Sequence, residues 1–268
     1  MRAIWACRSD VGIKRQINED NFKANPAELF FVVADGMGGH AGGELASRLV
    51  VECMDQFITT TRAGTTAPLP FAPRADLTPE ANRLYVAIRA ANREVYDTAV
   101  HNPALAGMGS TAVAILGHGR DLHLAHVGDS RCYLLRGDKL SQVTRDHSYV
   151  NELIDGGQLD PDTAYRHTER NIITRAMGST PDVEPDVTTL RIKNEDLFLL
   201  CSDGLTDKAS DRKLFELMQP LVQSSGLPDG SLDDARQRLD KVLQVMIKYA
   251  NGRGGDDNIT ALLVQFRE

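Results

Sequence analysis

Apolar residues recur along the first part of the chain in two spacings that predict secondary structure. Residues 29–34 form a short β-like run that ends at Asp35, so we expect this aspartate at the C-terminal tip of a strand. Residues 42–57 and 79–100 carry apolar positions at helical spacing, and the second helix has a proline at its favoured first position. Residues 59–79 are rich in Thr, Ala and Pro and predict a surface loop.

The pattern then changes to short strands. Residues 111–116, 122–127 and 131–135 are strand-like runs joined by glycine-containing turns, which predicts an antiparallel meander. Residues 144–185 are polar and only weakly periodic. A segment of that kind inside a compact domain is typical of a functional lid.

The last part of the chain returns to strong periodicity. Residues 197–201 and 259–266 predict buried strands, and residues 212–218 and 232–250 predict helices. The sequence shows no internal repeat or domain boundary, so we expect one domain over residues 1–268. Antiparallel strands with helix pairs between them predict an α+β fold, a β-sandwich flanked by helices.

Composition narrows the class of protein. A hydrophobic content of 42% and a charged content of 25% are ordinary for a globular protein, and no apolar run approaches the ~20 residues that span a bilayer. A net charge of −7 argues against a sequence-independent grip on nucleic acid. The N-terminus lacks the apolar segment of a signal peptide, and the cysteines lack metal-binding spacing. We therefore expect a cytoplasmic protein with no membrane span and no nucleic-acid partner.

Acidic residues in tight turns are the most informative chemical feature of the sequence. They occur at residues 18–20, 35–40, 202–204 and 255–258, beside glycine, serine or asparagine and mostly next to β-like runs. A carboxylate at a strand end is held rigidly, and hard divalent cations prefer oxygen ligands. If the fold brings these positions together, they form a two-metal hydrolase site.

Each candidate ligand also has an ordinary structural explanation. Asp35 and the carbonyl of Gly36 could bind two cations, or Asp35 could cap the following helix. Asp203 repeats the strand-Asp-Gly pattern, which favours the metal interpretation. Asp257 and Asn258 precede the final strand, where they could form a simple turn.

Three further residues could take part in phosphate chemistry. Arg15 is well shaped to bind two phosphate oxygens, or it could form a surface salt bridge with Glu19 or Asp20. His40 closes a glycine-rich turn and could protonate a leaving alkoxide, or it could be a solvated loop histidine. Asp129 could serve a third cation or lie in an ordinary hairpin turn.

Motifs that include these residues occur in the order expected of one family. They are Arg15…Asn18-Glu19-Asp20, Ala34-Asp35-Gly36-Met37-Gly38-Gly39-His40, Gly109-Ser110-Thr111-Ala112, Val127-Gly128-Asp129-Ser130-Arg131, Asp146-His147-Ser148, Thr174-Arg175-Ala176-Met177-Gly178, Ser202-Asp203-Gly204-Leu205 and Asp257-Asn258-Ile259-Thr260. In these motifs the chain resembles the type-2C, metal-dependent serine/threonine protein phosphatases (the PPM family) of the bacterial kind. The resemblance runs from about residue 3 to residue 266.

The resemblance implies a four-layer α-β-β-α sandwich with two central antiparallel sheets, and a Mn²⁺ or Mg²⁺ centre with two tightly held ions and a possible third. The metal ligands it implies are Asp20, Asp35, the Gly36 carbonyl, Asp129, Asp203 and Asp257, supported by Glu19 and Asn258. It further implies that Arg15 clamps the phosphate, that His40 is the general acid, and that residues 144–185 form a flap linked to substrate choice. Asp256 offers a second carboxylate beside Asp257, and the motif match selects Asp257.

The activity implied by the resemblance is hydrolysis of phosphoserine and phosphothreonine in proteins by a hydroxide that bridges two cations ~3.5–4 Å apart. The implied partners are a bacterial serine/threonine kinase and its substrates. No cysteine is followed by an arginine six residues on, so the Cys-x5-Arg design of tyrosine phosphatases is excluded. The alternatives are a catalytically weak phosphoprotein-binding regulator on the same fold, a two-metal nuclease or phosphodiesterase, and a small-molecule phosphatase.

Overall fold

The computed structural model describes residues 2–38, 41–62, 69–160, 163, 167–223 and 231–267. His40, part of the predicted loop 59–79 and part of the predicted flap 144–185 lie outside the described residues. The strands are β1 (Arg2–Asp10), β2 (Asp20–Asn25), β3 (Phe30–Met37), β4 (Gly109–Ser110), β5 (Ala112–His118), β6 (Asp121–Val127), β7 (Arg131–Arg136), β8 (Lys139–Gln142), β9 (Asp186–Arg191), β10 (Leu197–Cys201) and β11 (Ile259–Arg267). The α-helices are α1 (Ala41–Thr60), α2 (Pro79–His101), α3 (Tyr149–Asp155), α4 (Asp203–Thr206), α5 (Asp211–Gln223) and α6 (Leu232–Gly252).

Two antiparallel sheets form the centre of the fold. One has the strand order β1-β11-β10-β7-β8, and the other has the order β2-β3-β5-β6-β9, with β4 paired to β3. Their facing sides share an apolar core, while α1 and α2 cover the outer face of the second sheet and α5 and α6 cover the outer face of the first. The layer order is therefore helix, sheet, sheet, helix, as the sequence predicts.

Strand β3 shows how the apolar pattern builds these layers. Successive side chains of a strand point to opposite faces, so Phe30 and Val32 pack against the helices while Phe31 and Val33 pack between the sheets. Asp35 has the parity of Phe31 and Val33. Its carboxylate therefore belongs to the inter-sheet face, at the end of the sandwich.

The strand was predicted to end at Asp35, but it ends two residues later, at Met37. Strand β3 continues to Met37 because Gly36 pairs with Ser110 and Met37 pairs with Gly109 of β4. Asp35 consequently lies inside the strand, where backbone pairing on both sides holds it more firmly than a strand tip would.

The predicted three-strand meander is also wrong at its third strand. Strands β5 and β6 do form an antiparallel hairpin, but β7 pairs with β10 and β8 in the other sheet. The chain crosses between the sheets at residues 128–130, where Gly128 has a φ of 98°, a conformation that glycine adopts without strain. This crossing places Asp129 at the same end of the sandwich as Asp35.

Candidate metal centre

Strands β2 and β3 bring Asp20 and Asp35 side by side. The two residues are direct partners in the antiparallel pair. The amide of Asp35 donates to Thr111 Oγ1 (3.0 Å), and its carbonyl accepts from the amide of Thr111 (2.8 Å) and the hydroxyl of Ser110 (3.0 Å). The backbone of Asp35 is thus fully bonded, which leaves its carboxylate fixed in direction.

Gly36 and Gly43 allow helix α1 to approach this strand closely. A Cβ on Gly36 would overlap the carbonyl oxygen of Gly43, and a Cβ on Gly43 would overlap the Glu19 carboxylate. The amide of Gly36 donates to the carbonyl of Glu19 (3.1 Å), and the hydroxyl of Ser47 on α1 donates to the same carbonyl (2.5 Å). Glycine at position 36 therefore has a packing reason in addition to the ligand role implied by the resemblance.

Asp203 and Asp257 arrive from the other sheet. Asp203 is the first residue of α4, separated from the end of β10 by one residue, and a Cβ on Gly204 would overlap the carbonyl oxygen of Asn258. This close contact holds α4 against the turn that carries Asp257. The amide of Glu19 donates to Asn258 Oδ1 (2.8 Å), and this hydrogen bond joins the turn to the acidic residues at positions 18–20.

Ser202 connects the two sheets at the centre of the site. Its hydroxyl donates to Asp20 Oδ2 (2.7 Å) and accepts from the amide of Thr260 on β11 (3.0 Å). Sequence inspection of the Ser202-Asp203-Gly204-Leu205 motif did not assign this serine a role. The structure shows that it orients Asp20, although 182 residues separate them in the chain.

The clustered carboxylates have strongly perturbed protonation. Burial, followed by the charge of neighbouring aspartates, raises the pKa of Asp20 to about 7 and that of Asp203 to about 6. The pKa of Asp35 is raised well above its ordinary value by burial and by the charges of Asp20, Asp203, Asp129 and Asp257. Four neighbouring carboxylates thus act on the charge of Asp35.

The donor set fits divalent cations. Within the described part of the chain, Asp20 Oδ1 and Asp203 Oδ1 are buried and have no hydrogen-bond partner. A buried charged oxygen without a partner is costly, and a cation would satisfy it. All the candidate donors are carboxylate or carbonyl oxygens, the ligands that Mg²⁺ and Mn²⁺ prefer.

Arg15 lies at the edge of this cluster. Its Nη2 donates to Asp257 Oδ2 (2.8 Å), and its Nη1 lies 3.7 Å from Glu19 Oε2. The arginine side chain is 46% exposed, so one side of the guanidinium faces solvent. Both the salt-bridge and the phosphate-clamp interpretations from the sequence therefore find support, because the guanidinium is held by the acidic site and is open to a ligand.

The structure also distinguishes Asp257 from Asp256. Both carboxylate oxygens of Asp256 contact ammonium groups, Oδ1 with Lys14 (2.5 Å) and Oδ2 with Lys208. Asp257 instead bonds Arg15 and the amide of Asn258 (2.8 Å), at the contact with α4. Asp256 is turned toward the lysines, which favours Asp257 as the ligand.

Asp129 occupies the turn between the sheets. Burial raises its pKa to about 8, together with the charges of Asp203 and Asp146. Asp129 and Asp203 line a cleft of about 770 Å³, whose lining also includes Val150 and Ile154 of α3. The cleft thus connects the acidic cluster to the predicted flap.

A histidine cluster secures the turn that carries Asp129. His147 accepts a hydrogen bond at Nδ1 from the amide of Gly128 (3.1 Å), and its own amide donates to the Gly128 carbonyl (3.0 Å). Among the described residues, His126, His147 and Asp186 each offer a ligand atom within 4.8 Å of the others. The guanidinium of Arg175 lies 2.8 Å from Asp186 Oδ1 and 3.0 Å from His147 Nε2. An arginine therefore already supplies the positive charge that a metal ion would bring to this cluster. The Asp146-His147-Ser148 motif alone does not predict this role for His147.

The fold and the site together define a four-layer sandwich with an acidic, oxygen-rich centre between the ends of its two sheets. The chain belongs to the protein phosphatase 2C family, whose family model matches residues 13–244. This finding confirms the family and the fold class expected from the motifs.

Two relatives illustrate the similarity. The serine/threonine protein phosphatase PstP of Mycobacterium tuberculosis is 37% identical over 259 residues, which cover 97% of this chain and 44% of PstP. The chain therefore spans less than half the length of that relative. The serine/threonine phosphatase stp of Listeria monocytogenes is 35% identical over 264 residues, covering 96% of this chain and 94% of stp.

Solved structures agree with the sequence comparison. The crystal structure of Mycobacterium tuberculosis PstP/Ppp matches with a TM-score of 0.82 at 34% identity and covers 100% of both chains. The catalytic domain of PstP in complex with two manganese ions matches with a TM-score of 0.78 at 34% identity, covering 100% of this chain and 99% of that one.

The predicted site residues that the structure describes lie close together. The structure brings Asp20, Asp35, Asp129, Asp203 and Asp257 to one end of the sandwich with Glu19, Asn258 and Arg15 beside them. The general-acid role of His40 stays a prediction because that residue is outside the described part. None of the helices in the described ranges has the length and apolar character needed to span a membrane.

Proposed function

We propose that this chain is a Mn²⁺- or Mg²⁺-dependent protein serine/threonine phosphatase. The observation that carries the proposal is the meeting of buried carboxylates from both sheets, two of them with unpartnered oxygens, beside the half-exposed guanidinium of Arg15. A cation-binding site next to a phosphate-binding group is the arrangement that phosphoryl transfer requires, because that chemistry depends on positioning and charge neutralisation.

The acidic residues hold the cations. We assign Asp20, Asp35, the Gly36 carbonyl, Asp203 and Asp257 to the two tightly held ions, and Asp129 with Asp203 to a weaker third. Divalent cations bound there would supply Lewis-acid activation of water and neutralisation of phosphoryl charge. Ser202 keeps Asp20 in place, and the bonded backbone of Asp35 keeps its carboxylate directed inward.

The remaining residues position the substrate. Arg15 presents a planar, permanently charged fork that binds two phosphate oxygens, which orients the phosphorus toward the acidic centre. The cleft between Asp129 and α3 receives the polypeptide on one side of the phosphorylated residue. We propose that residues 144–185 form a flap beside this cleft and that the whole chain is one catalytic domain.

Phosphoproteins are the proposed substrates, and a bacterial serine/threonine kinase with its targets is the proposed opposing partner. The names of the relatives PstP and stp support this substrate class. A cytoplasmic location is proposed on the ground that Cys7, Cys53, Cys132 and Cys201 are all free thiols, as in a reducing compartment.

The deciding experiment is phosphate release from a phosphothreonine peptide with and without Mn²⁺, for the wild type and Asp203→Ala. Manganese-dependent release that disappears in the variant supports the proposal. Release from a phosphodiester but not from the peptide would replace it with a nuclease or phosphodiesterase. Tight binding of the phosphopeptide without release would replace it with the phosphoprotein-binding regulator.

A further inference from the structure

Asp256 links three segments that meet beside the metal centre. Its carboxylate contacts Lys14 Nζ (2.5 Å) in the loop between β1 and β2, and Lys208 Nζ in the loop after α4. Lys14 directly precedes Arg15, and α4 carries Asp203. One half-exposed aspartate therefore joins the loop of the phosphate-binding arginine to the helix and the turn that carry metal ligands.

Backbone contacts place the loop that carries Arg15 (residues 11–19, between β1 and β2; the Arg15 loop) on the turn at residues 255–257. The amides of Ile13 and Lys14 both donate to the carbonyl of Gly255 (2.8 and 3.1 Å). Gly12 has a φ of 80°, and a Cβ there would overlap the carbonyl oxygen of Asp257. The loop thus lies directly on residues 255–257.

The side chain of Arg15 depends on this placement. Its guanidinium bonds Asp257 Oδ2 (2.8 Å) and faces Glu19 Oε2 (3.7 Å), and both of these acceptors belong to the acidic site. The neighbouring ion pair of Lys14 with Asp256 limits the movement of the loop away from the site.

We propose that Asp256 is a positioning residue for phosphate binding, which holds the Arg15 loop in place through Lys14 and Lys208. The inference rests on the proposed phosphatase function, and it assigns Asp256 neither to a cation nor to the substrate. The lysines, in this arrangement, serve as links between segments and do not themselves bind the phosphate.

Asp256→Asn tests the proposal because asparagine keeps the shape and removes the charge. With the phosphothreonine peptide and saturating Mn²⁺, we expect KM to rise about three- to tenfold while kcat stays within about twofold, as for a lost ground-state anchor. Isothermal titration should show inorganic phosphate binding to the manganese-loaded variant weakened by the same factor. Two manganese ions should still bind, and the melting temperature should fall by only a few degrees, because the Lys208 side chain, which is 16% exposed, loses its charged partner.

Matched variants separate positioning from general effects. Asp55→Asn removes another lysine-bound aspartate, paired with Lys23 (3.0 Å) on the β2–α1 surface, and should leave KM and phosphate affinity unchanged. Asp256→Glu keeps the charge and should recover part of the affinity. In an Arg15→Ala background, Asp256→Asn should have no further effect on phosphate affinity, because residues that act through one group are not additive.

Three results would overturn the positioning role. Unchanged phosphate affinity in Asp256→Asn would show that the link is not needed. Tighter phosphate binding would show that the freed lysines bind the anion themselves. Loss of a manganese ion would make Asp256 a metal ligand. The phosphate titration does not need turnover, so failure of the wild type to hydrolyse the peptide would count against the proposed function alone.

Discussion

Asp20 lies directly opposite Asp35 in the antiparallel pair of β2 and β3. Side chains at directly opposed positions share a face of the sheet and lie close together, so two carboxylates meet at the inner face of the sandwich. A register shift of one residue would turn Asp20 to the other face. The fold therefore holds two carboxylates side by side, and a bound cation would relieve their repulsion.

Replacement of Asp35 by asparagine should change stability and metal binding in opposite directions. The substitution removes a buried ionisable group that costs stability at pH 8 whether it stays charged or takes up a proton, so the melting temperature of the metal-free protein should rise by at least about 2 °C, equivalent to roughly 1 kcal/mol. Manganese affinity should fall by more than about 100-fold, beyond the loss typical of an outer-shell change. Calorimetry in EDTA and manganese titration measure the two effects. The control is Asp121→Asn, at the first residue of β6 and away from the acidic cluster. A metal-free variant less stable than the wild type would contradict the account of the buried charge.

The metal-free protein should lose stability as pH rises from about 5 to about 8. Burial raises the pKa of Asp203 to about 6, of Asp20 to about 7 and of Asp129 to about 8, so the folded state holds more protons than the unfolded chain in this window. Stability falls with pH wherever the native state binds more protons. The contribution of these carboxyl groups to stability is fully present below the ordinary aspartate pKa near 4. It is lost as pH rises through their raised pKa values in the folded protein. Thermal melts in EDTA across this range measure it.

Manganese should reverse this trend, because binding displaces the same protons. The difference in melting temperature between manganese and EDTA is expected to grow from pH 5 to pH 8. A difference that stays constant across the window would show that the ions bind elsewhere.

The sequence predicts the inner strands of the fold but not its edges. Strands β3, β5, β6, β10 and β11 are buried on both faces and appear as apolar runs, and all five were predicted. Strands β1, β2, β8 and β9, which the sequence analysis did not predict, are the four edges of the two sheets. Edge strands are partly exposed and carry polar residues, so their alternation is weak.

The sequence predicts those site residues whose immediate neighbours in the chain already indicate a metal ligand. Asp35, Asp203 and Asp257 could be selected from the glycine and asparagine next to each of them. The role of Ser202 toward Asp20 and the lysine contacts of Asp256 could not, because each depends on residues far apart in the chain. Spacing also cannot tell whether a third strand joins its neighbours or the opposite sheet, as β7 does.

Ser202→Ala should weaken the metal site without removing a ligand. The substitution deletes the hydrogen bonds to Asp20 Oδ2 and from the amide of Thr260, which should cost about 1–3 kcal/mol of unfolding free energy. Manganese affinity should fall about 10–100-fold, because Asp20 loses the group that orients it. Urea unfolding and manganese titration test both parts. Ser179→Ala, whose hydroxyl bonds only the carbonyl of Ala176 among the contacts described, is the control for loss of a serine hydroxyl.

Arg15→Ala should act mainly on substrate binding. The guanidinium is open to solvent on one side and would bind the phosphate in the ground state as well as in the transition state, so KM should rise about tenfold or more with a smaller change in kcat. Arg15→Lys should recover little, because a single ammonium cannot form the two-point contact. Steady-state kinetics on the phosphothreonine peptide provide the test. A KM equal to that of the wild type would exclude the clamp.

Asp129→Ala should separate the third cation from the first two. Asp129 lies on a turn of its own after β6, held by His147 through Gly128, so its loss leaves the bonds of Asp35, Asp203 and Ser202 intact. Two manganese ions should bind with little change, the weakest binding step should disappear, and kcat should fall by about 10–100-fold, the scale for loss of a group that supports a metal site. Asp138→Ala, in the exposed turn between β7 and β8, should match the wild type in each measurement. If the Asp129 variant instead loses a tightly bound ion in the titration, Asp129 belongs to the main centre and the assignment of ligands between the sites must change.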